Sequence, residues 1–388
     1  MEKKICEALA RAVEKGDVSG ANVLILKDGK EQAYCECGLR DIENETPLTR
    51  DTIFRLYSMT KPITAAAVML LVAQGKIDLG GYLFEYLPKF QDIKVCRDGE
   101  FVPVENPIMV RDLMNMTSGI SYPDDSPAGR QSGAVFYELG ERLYGAQPMT
   151  TKEFAEKMAG AALAFEPGTR FRYGASADIL GALVEEVAGM SFRDFLMEKF
   201  FLPLGMKDMD FYVPQEKRGR LAKVYDYGSA GLCECPTDHL GLRYNRDVVP
   251  AFQSGGAGLC GTLDDYANFA QMLLQGGRWQ KKQILPEFAV HYLTHGGLEV
   301  SQDKYLWQGW PCLSGYTYGN LMRVCRERSR TTLFSGEGEY GWDGWLGVFF
   351  SNEPSCGITM LFGTQQIGIG RAATLIRKIK NIVMSELA

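Results

Sequence analysis

The chain's apolar positions are not evenly spread but fall into runs with two distinct periods. Residues 21–38 (ANVLILKDGKEQAYCECG) hold two apolar-rich runs around Lys27-Asp28-Gly29-Lys30. Asp-Gly between such runs predicts a β-hairpin. Residues 1–20 show a helical spacing of apolar positions among charges, the pattern of a surface helix rather than a secretory leader. After Thr52-Ile53-Phe54-Arg55-Leu56-Tyr57, a strand-like run, comes SMTKPITAAAVMLLVAQG, rich in alanine and leucine and stopped at Gly75. Pro62 falls where a first helical turn tolerates it.

From about 80 to 250 the pattern is helical and loop-rich. Helices are predicted in 149–165, 175–189 and 191–205, each with Ser or Thr near its start, and 117–148 and 212–250 read as long irregular stretches. A further amphipathic helix follows Gly258. WLGVFFS and CGITMLFG then read as strands, and a helix over about 369–386 closes the chain. Strands at both ends with helices between them imply one sheet assembled from the two termini. The expected division is an α/β domain from 1–75 and 251–388, with a mainly helical 76–250 inserted.

Composition narrows the function. The 388 residues are 46% hydrophobic and 23% charged, with a net charge of −6, which argues against a nucleic-acid or anionic-membrane partner. No run reaches the roughly 18 apolar residues needed to span a bilayer. Ten scattered cysteines suggest reduced thiols and a cytoplasmic setting rather than a disulfide framework. Cys233-Glu234-Cys235 with His239 lacks paired metal-ligand spacing, so no metal and no cofactor is expected.

Ser58-Met59-Thr60-Lys61 places a serine and a lysine one helical turn apart on one face. A serine hydroxyl needs a neighbouring base, and Lys61 serves if burial lowers its pKa. A second S-x-x-K, Ser301-Gln302-Asp303-Lys304, lies in a polar stretch and reads as a solvated loop. There is no G-x-S-x-G elbow, and His239, His291 and His295 sit in no suggestive motif.

The run from Thr52 to Thr64 resembles the nucleophile segment of class C β-lactamases, family VIII carboxylesterases and penicillin-binding-protein-like enzymes. Further segments are similar in the same order: Arg111–Gly119, Glu166-Pro167-Gly168 with Phe171-Arg172-Tyr173, Pro203-Leu204-Gly205-Met206, and Ser254–Leu259. The resemblance implies a β-lactamase/transpeptidase-like α/β (α+β) fold, a mixed antiparallel sheet flanked by helices. It implies catalysis by Ser58, Lys61 and Tyr173, Tyr173 being favoured over Tyr266 and Tyr318 by order and flanks. It places the oxyanion hole at the backbone N–H groups of Ser58 and Trp345, and substrate contacts at Ala175 and Trp342-Asp343-Gly344. Trp342 stands where β-lactamases carry a lysine, and Ala175 where an amide-gripping asparagine would be, so a small neutral ester fits better than a penicillin-like anion. The expected activity is that of a carboxylesterase. A β-lactamase, D-amino-acid peptidase, amidase or acyltransferase is the enzymatic alternative, and a silent binding or sensor protein the other. The expected partner is a small ester or amide; the oligomeric state stays open.

Overall fold

The computed structural model describes residues 1–229, 231–368 and 370–388. Its main sheet has eight antiparallel strands: β1 (Gly20–Lys27), β2 (Lys30–Asp41), β3 (Thr46–Pro47), β4 (Tyr316–Gly319), β5 (Met322–Cys325), β6 (Tyr340–Asp343), β7 (Phe349–Glu353) and β8 (Ile358–Gly363), in the order β4-β5-β6-β7-β8-β1-β2-β3. The two chain ends meet at the β8–β1 seam, where Ile25 faces Met360. The Asp28-Gly29 turn is as expected, with φ of 50° and 75°, the left-handed pair that a two-residue hairpin needs.

β1 is apolar on both faces from Val23 to Leu26 because both faces of the sheet are covered. Val23 and Ile25 pack with the N-terminal helix α1 (Glu2–Glu14) and the C-terminal helix α6 (Gly370–Leu387), through Ile5, Leu9, Ile379 and Val383. Leu24 and Leu26 point to the other face, into a core shared with α2 (Thr60–Ala73), α4 (Ser176–Ala188) and α5 (Leu263–Leu274). That core continues from the sheet into the intervening helices without a break in packing, from Leu24 to Leu361.

Several expectations need correction. The stretch 117–148 is not irregular throughout: α3 (Pro127–Arg142) fills its middle, capped by Ser126, whose hydroxyl accepts from Gly129 N–H, with Pro127 at the first helical position. Three glycines diluted its helical pattern, while the cap was legible. Two paired strands, Tyr225–Gly228 and Gly231–Glu234, interrupt the second predicted loop. The second S-x-x-K lies in a helix, Val300–Gly309, not a loop; Ser301 and Lys304 are exposed there, and Asp303 is buried against Arg326. The cysteines are not all free: Cys6 of α1 is joined to Cys35 of β2, and eight remain free. No described helix is long and apolar enough to cross a membrane.

Candidate active site

The turn that carries Ser58 is built by short backbone pairings. Phe54-Arg55 pairs with Cys260-Gly261, and Leu56 N–H donates to Leu259 O at 2.9 Å. Tyr57 then takes a φ of 44°, a conformation costly for an aromatic residue and held only where the surroundings over-determine it. Its buried ring is fixed by Trp345, with centroids 5.2 Å apart, and by Tyr244 at 6.1 Å. Ser58 follows at the entrance to α2, whose residues from Thr60 to Leu71 are all buried.

The glycine-rich Ser254–Leu259 segment lies along α2. Thr64 donates to Gly255 O at 2.6 Å, and Leu259 N–H donates to Thr60 Oγ1 at 3.1 Å. Tyr266, from α5, donates to Met59 O at 2.9 Å and so supports the turn rather than the chemistry. A Cβ at Gly255 would lie 2.2 Å from Ala177 O, so no larger residue permits this approach.

Lys61 is fully buried. Its Nζ lies 3.1 Å from Ser58 Oγ, 3.2 Å from the Tyr122 hydroxyl and 2.8 Å from Gly256 O. Its ammonium also sits over the Tyr173 ring at 4.6 Å. Loss of hydration lowers its pKa to about 7, against the opposing pull of Asp178 and Asp343. Lys61 can therefore shed its proton near neutral pH, which a solvated lysine cannot.

Asp178 sits behind this pair. It accepts from the Ser254 hydroxyl and from Gly256 N–H at 3.1 Å, which fixes the carbonyl that holds Lys61. Burial raises its carboxyl above the usual range.

Two tyrosines face the lysine, and only one was expected. Tyr173 takes a hydrogen bond from Trp342 Nε1 at 3.0 Å and interacts with Ser58 through its hydroxyl. Tyr122 was missed, because it follows the Thr117-Ser118-Gly119 motif without a recognisable signature of its own. Gly174 is the sequence signal that ties the two together: a Cβ there would lie 2.0 Å from Ile120 O. The segments carrying both tyrosines thus meet backbone to backbone, with rings 5.9 Å apart. Burial pushes both phenols well above 10, so both are protonated donors at neutral pH.

The remaining predicted residues separate by place. Trp345 lines the cavity, whereas Trp342 is nearly buried and its polar atom is engaged by Tyr173. Asp343 is half-buried on β6; burial raises its carboxyl, and its charge acts on Lys61 and Tyr173. Gly344 approaches protein, not open space, since a Cβ would lie 2.3 Å from Leu56 O. That contact brings the β6 end against the turn that carries Ser58. Neither Ser58 N–H nor Trp345 N–H has an acceptor among the described residues. Ala175 is completely buried and does not line the cavity.

The cavity in front of Ser58 measures about 620 Å³ and is walled by Tyr57, Tyr122, Tyr173 and Trp345, with Phe136 and Tyr137 contributed by α3. His239, which no motif singled out, also lines it and stacks on Trp345 with centroids 4.2 Å apart. Burial lowers its pKa, favouring the neutral ring. Cys233 lies in the strand Gly231–Glu234, where its Sγ donates to Asp226 O, and Cys235 follows that strand.

Comparison with known proteins agrees with this architecture. Esterase EstB of Burkholderia gladioli is 31% identical over 96% of this chain and 92% of its own length. The structure of EstCE1, described as a hydrolase with promiscuous acyltransferase activity, superposes with a TM-score of 0.80 at 25% identity, covering 98% of both chains. Simvastatin synthase LovD from Aspergillus terreus shares the fold, with a TM-score of 0.82 at 21% identity over 99% of this chain and 98% of that one. The fold is the β-lactamase/transpeptidase-like one expected from the motifs. The family model described as Beta-lactamase matches residues 5–377, and the chain belongs to that family of serine hydrolases.

Proposed function

We propose that the chain is a carboxylesterase that forms an acyl-enzyme at Ser58 on small esters with a neutral acyl group. One observation carries this reading: Ser58 Oγ lies 3.1 Å from a fully buried lysine whose pKa falls to about 7, at the edge of an aromatic-walled cavity. Neutral Lys61 takes the Ser58 proton as Oγ bonds to the ester carbonyl carbon. The negative oxygen is received by the Ser58 and Trp345 N–H groups, a kind of donor worth about 10²–10³ in rate each. Tyr173, protonated and in contact with Ser58, passes a proton to the leaving alkoxide and regains one from Lys61. Water then repeats the sequence on the acyl-enzyme, releasing the acid and restoring Ser58.

The walls favour neutral substrates. No lysine or arginine lines the cavity among the described residues, so a substrate carboxylate would lack a charge-assisted partner there. A β-lactamase or D-amino-acid peptidase role is therefore the weaker reading. Acyl transfer is the stronger second one, since EstCE1 combines hydrolysis with acyltransferase activity. A cytoplasmic setting belongs to the same proposal, supported by eight free cysteines beside the single bridge.

The test is hydrolysis of p-nitrophenyl butyrate by the wild type and Ser58→Ala, with intact-mass spectra during turnover. A butyryl adduct and turnover confined to the wild type are expected; turnover retained by Ser58→Ala overturns the assignment. Adding a primary alcohol separates the two readings, because a transferase would release butyrate ester faster than acid. Labelling without turnover would point to a sensor.

A further inference from the structure

A second cavity lies behind the nucleophile turn, and its chemistry is unlike that of the first. It measures about 540 Å³ and carries five cationic side chains against three carboxylates, in a chain whose net charge is −6. The carboxylates are already engaged. Asp41 and Glu234 are held by Lys223 at 3.4 and 2.7 Å, and Asp238 accepts from the Tyr144 hydroxyl. Of the cations, Lys223 is spent on those acids, and Arg218 is paired with Asp247 at 2.6 Å.

That leaves three arginines with no carboxylate within 4.0 Å among the described residues. Arg40 donates only to neutral oxygens, those of Gly219, Pro47 and Thr49. Arg55 donates to Ala222 O at 2.5 Å and lies over the Tyr244 ring at 5.8 Å. Arg243, at the rim, donates to Asn245 and to the Tyr144 hydroxyl. A guanidinium drawn partly out of water is unfavourable without a counter-charge, and three lining one cavity compound that cost. The planar guanidinium fork matches the oxygens of carboxylate and phosphate groups.

We propose that the cavity lined by Arg40, Arg55 and Arg243 is a binding site for a small polyvalent oxyanion bearing phosphate or carboxylate groups. The site adjoins the catalytic cavity. Asp238 lines both, and the packed Tyr57 and Tyr244 rings form the partition between them. Arg55 lies three residues before Ser58, on the strand that leads into the nucleophile turn. A bound anion therefore rests against the reverse side of that turn without entering the ester cavity.

The test is isothermal titration calorimetry of the whole chain with inorganic phosphate and, separately, with citrate, at ionic strength fixed by chloride. Saturable binding of one equivalent is expected, weakened about tenfold by Arg243→Ala and by Arg40→Gln, as for loss of one charge-assisted hydrogen bond. Tighter binding of phosphate identifies a phosphorylated ligand, and tighter binding of citrate a polycarboxylate. The unliganded melting temperature reports whether each variant folds. Arg243, which donates only to other side chains, keeps the test open if Arg40→Gln unfolds. No saturable heat with either anion, or wild-type affinity in the folded variants, overturns the proposal.

Discussion

Replacing Lys61 with methionine should inactivate the protein, yet its effect on stability should change sign with pH. An unfolded chain carries this lysine at its ordinary 10.5, whereas the folded protein holds it at about 7. The folded pKa is depressed, so the unfolded state binds more protons between these values. Stability linked to this group is then complete above pH 10.5 and is lost as pH falls toward 7. Across the whole window the loss is roughly 5 kcal/mol. At pH 7 it is about 4 kcal/mol, and at pH 9.5 it has shrunk to about 1.4 kcal/mol. Methionine removes that cost at a similar volume, but it forfeits three hydrogen bonds, to Ser58, Tyr122 and Gly256, at about 1 kcal/mol each. The variant is thus expected to be about 1 kcal/mol more stable than the wild type at pH 7 and about 1.5 kcal/mol less stable at pH 9.5. For a chain of this length the corresponding change in melting temperature is about 1–2 °C in each direction. Thermal denaturation of both proteins at the two pH values reads it directly. A variant destabilised equally at both would show that Lys61 is not held near neutrality, and the base assignment would fall with it.

Other perturbations probe the same site. Ester hydrolysis, as kcat/KM, should rise with pH through about 7 as Lys61 becomes neutral, and at pH 6 stand about tenfold below its plateau; a flat profile over pH 5.5–8 would remove Lys61 as the base. Tyr173→Phe should lower kcat by about 10²–10⁴, while Tyr122→Phe, which loses a single hydrogen bond to Lys61, should lower it about tenfold. The reverse order in stopped-flow acylation rates would exchange their roles. Gly344→Ala forces a Cβ to within 2.3 Å of Leu56 O, so it should cost about 1–3 kcal/mol of stability and about 10² in rate, as Trp345 moves away from Ser58. Wild-type activity in a stable Gly344→Ala protein would show that this contact does not set the site.

What was legible in the sequence was whatever depends on local spacing. The Asp28-Gly29 turn, the α2 helix stopped by Gly75 and the Ser58–Lys61 pair rest on neighbours within four residues, and the structure places each as read. Contacts made across the fold were not legible. Tyr122 reaches Lys61 from 61 residues away, and only the close packing of Gly174 on Ile120 brings it there. His239 enters the cavity by stacking on Trp345, more than a hundred residues further along. The Cys6–Cys35 bridge follows from α1 lying on β2, a docking that an amphipathic pattern announces without naming the partner. Trp342 was expected to contact substrate because the resemblance aligns it with the lysine of β-lactamases; its burial and its bond to Tyr173 came only with the fold.

That bond changes how proton transfer must be divided. A lysine at position 342 would set a second cation beside the Tyr173 oxygen and stabilise the phenolate, making the tyrosine a base. The indole of Trp342 supplies a hydrogen bond but no charge, and burial keeps the Tyr173 phenol protonated at neutral pH. Asp343, next along β6, pushes in the same direction by adding negative potential at Tyr173. Lys61 meanwhile bonds to neutral oxygens, those of Ser58, Tyr122 and Gly256, and loses its proton near pH 7. On the proposed mechanism the base is therefore the amine, and the tyrosine is the donor that would work on the leaving group. On that mechanism an indole rather than a cation beside Tyr173 also sets the direction of proton flow. Substrate preference and acid–base assignment should then shift together in Trp342→Lys: recognition of carboxylate-bearing esters should improve, and the ascending limb of the pH profile should move as a second cation enters the site. A variant that gains carboxylate substrates while keeping the wild-type pH profile would separate the two effects and refute the link between them.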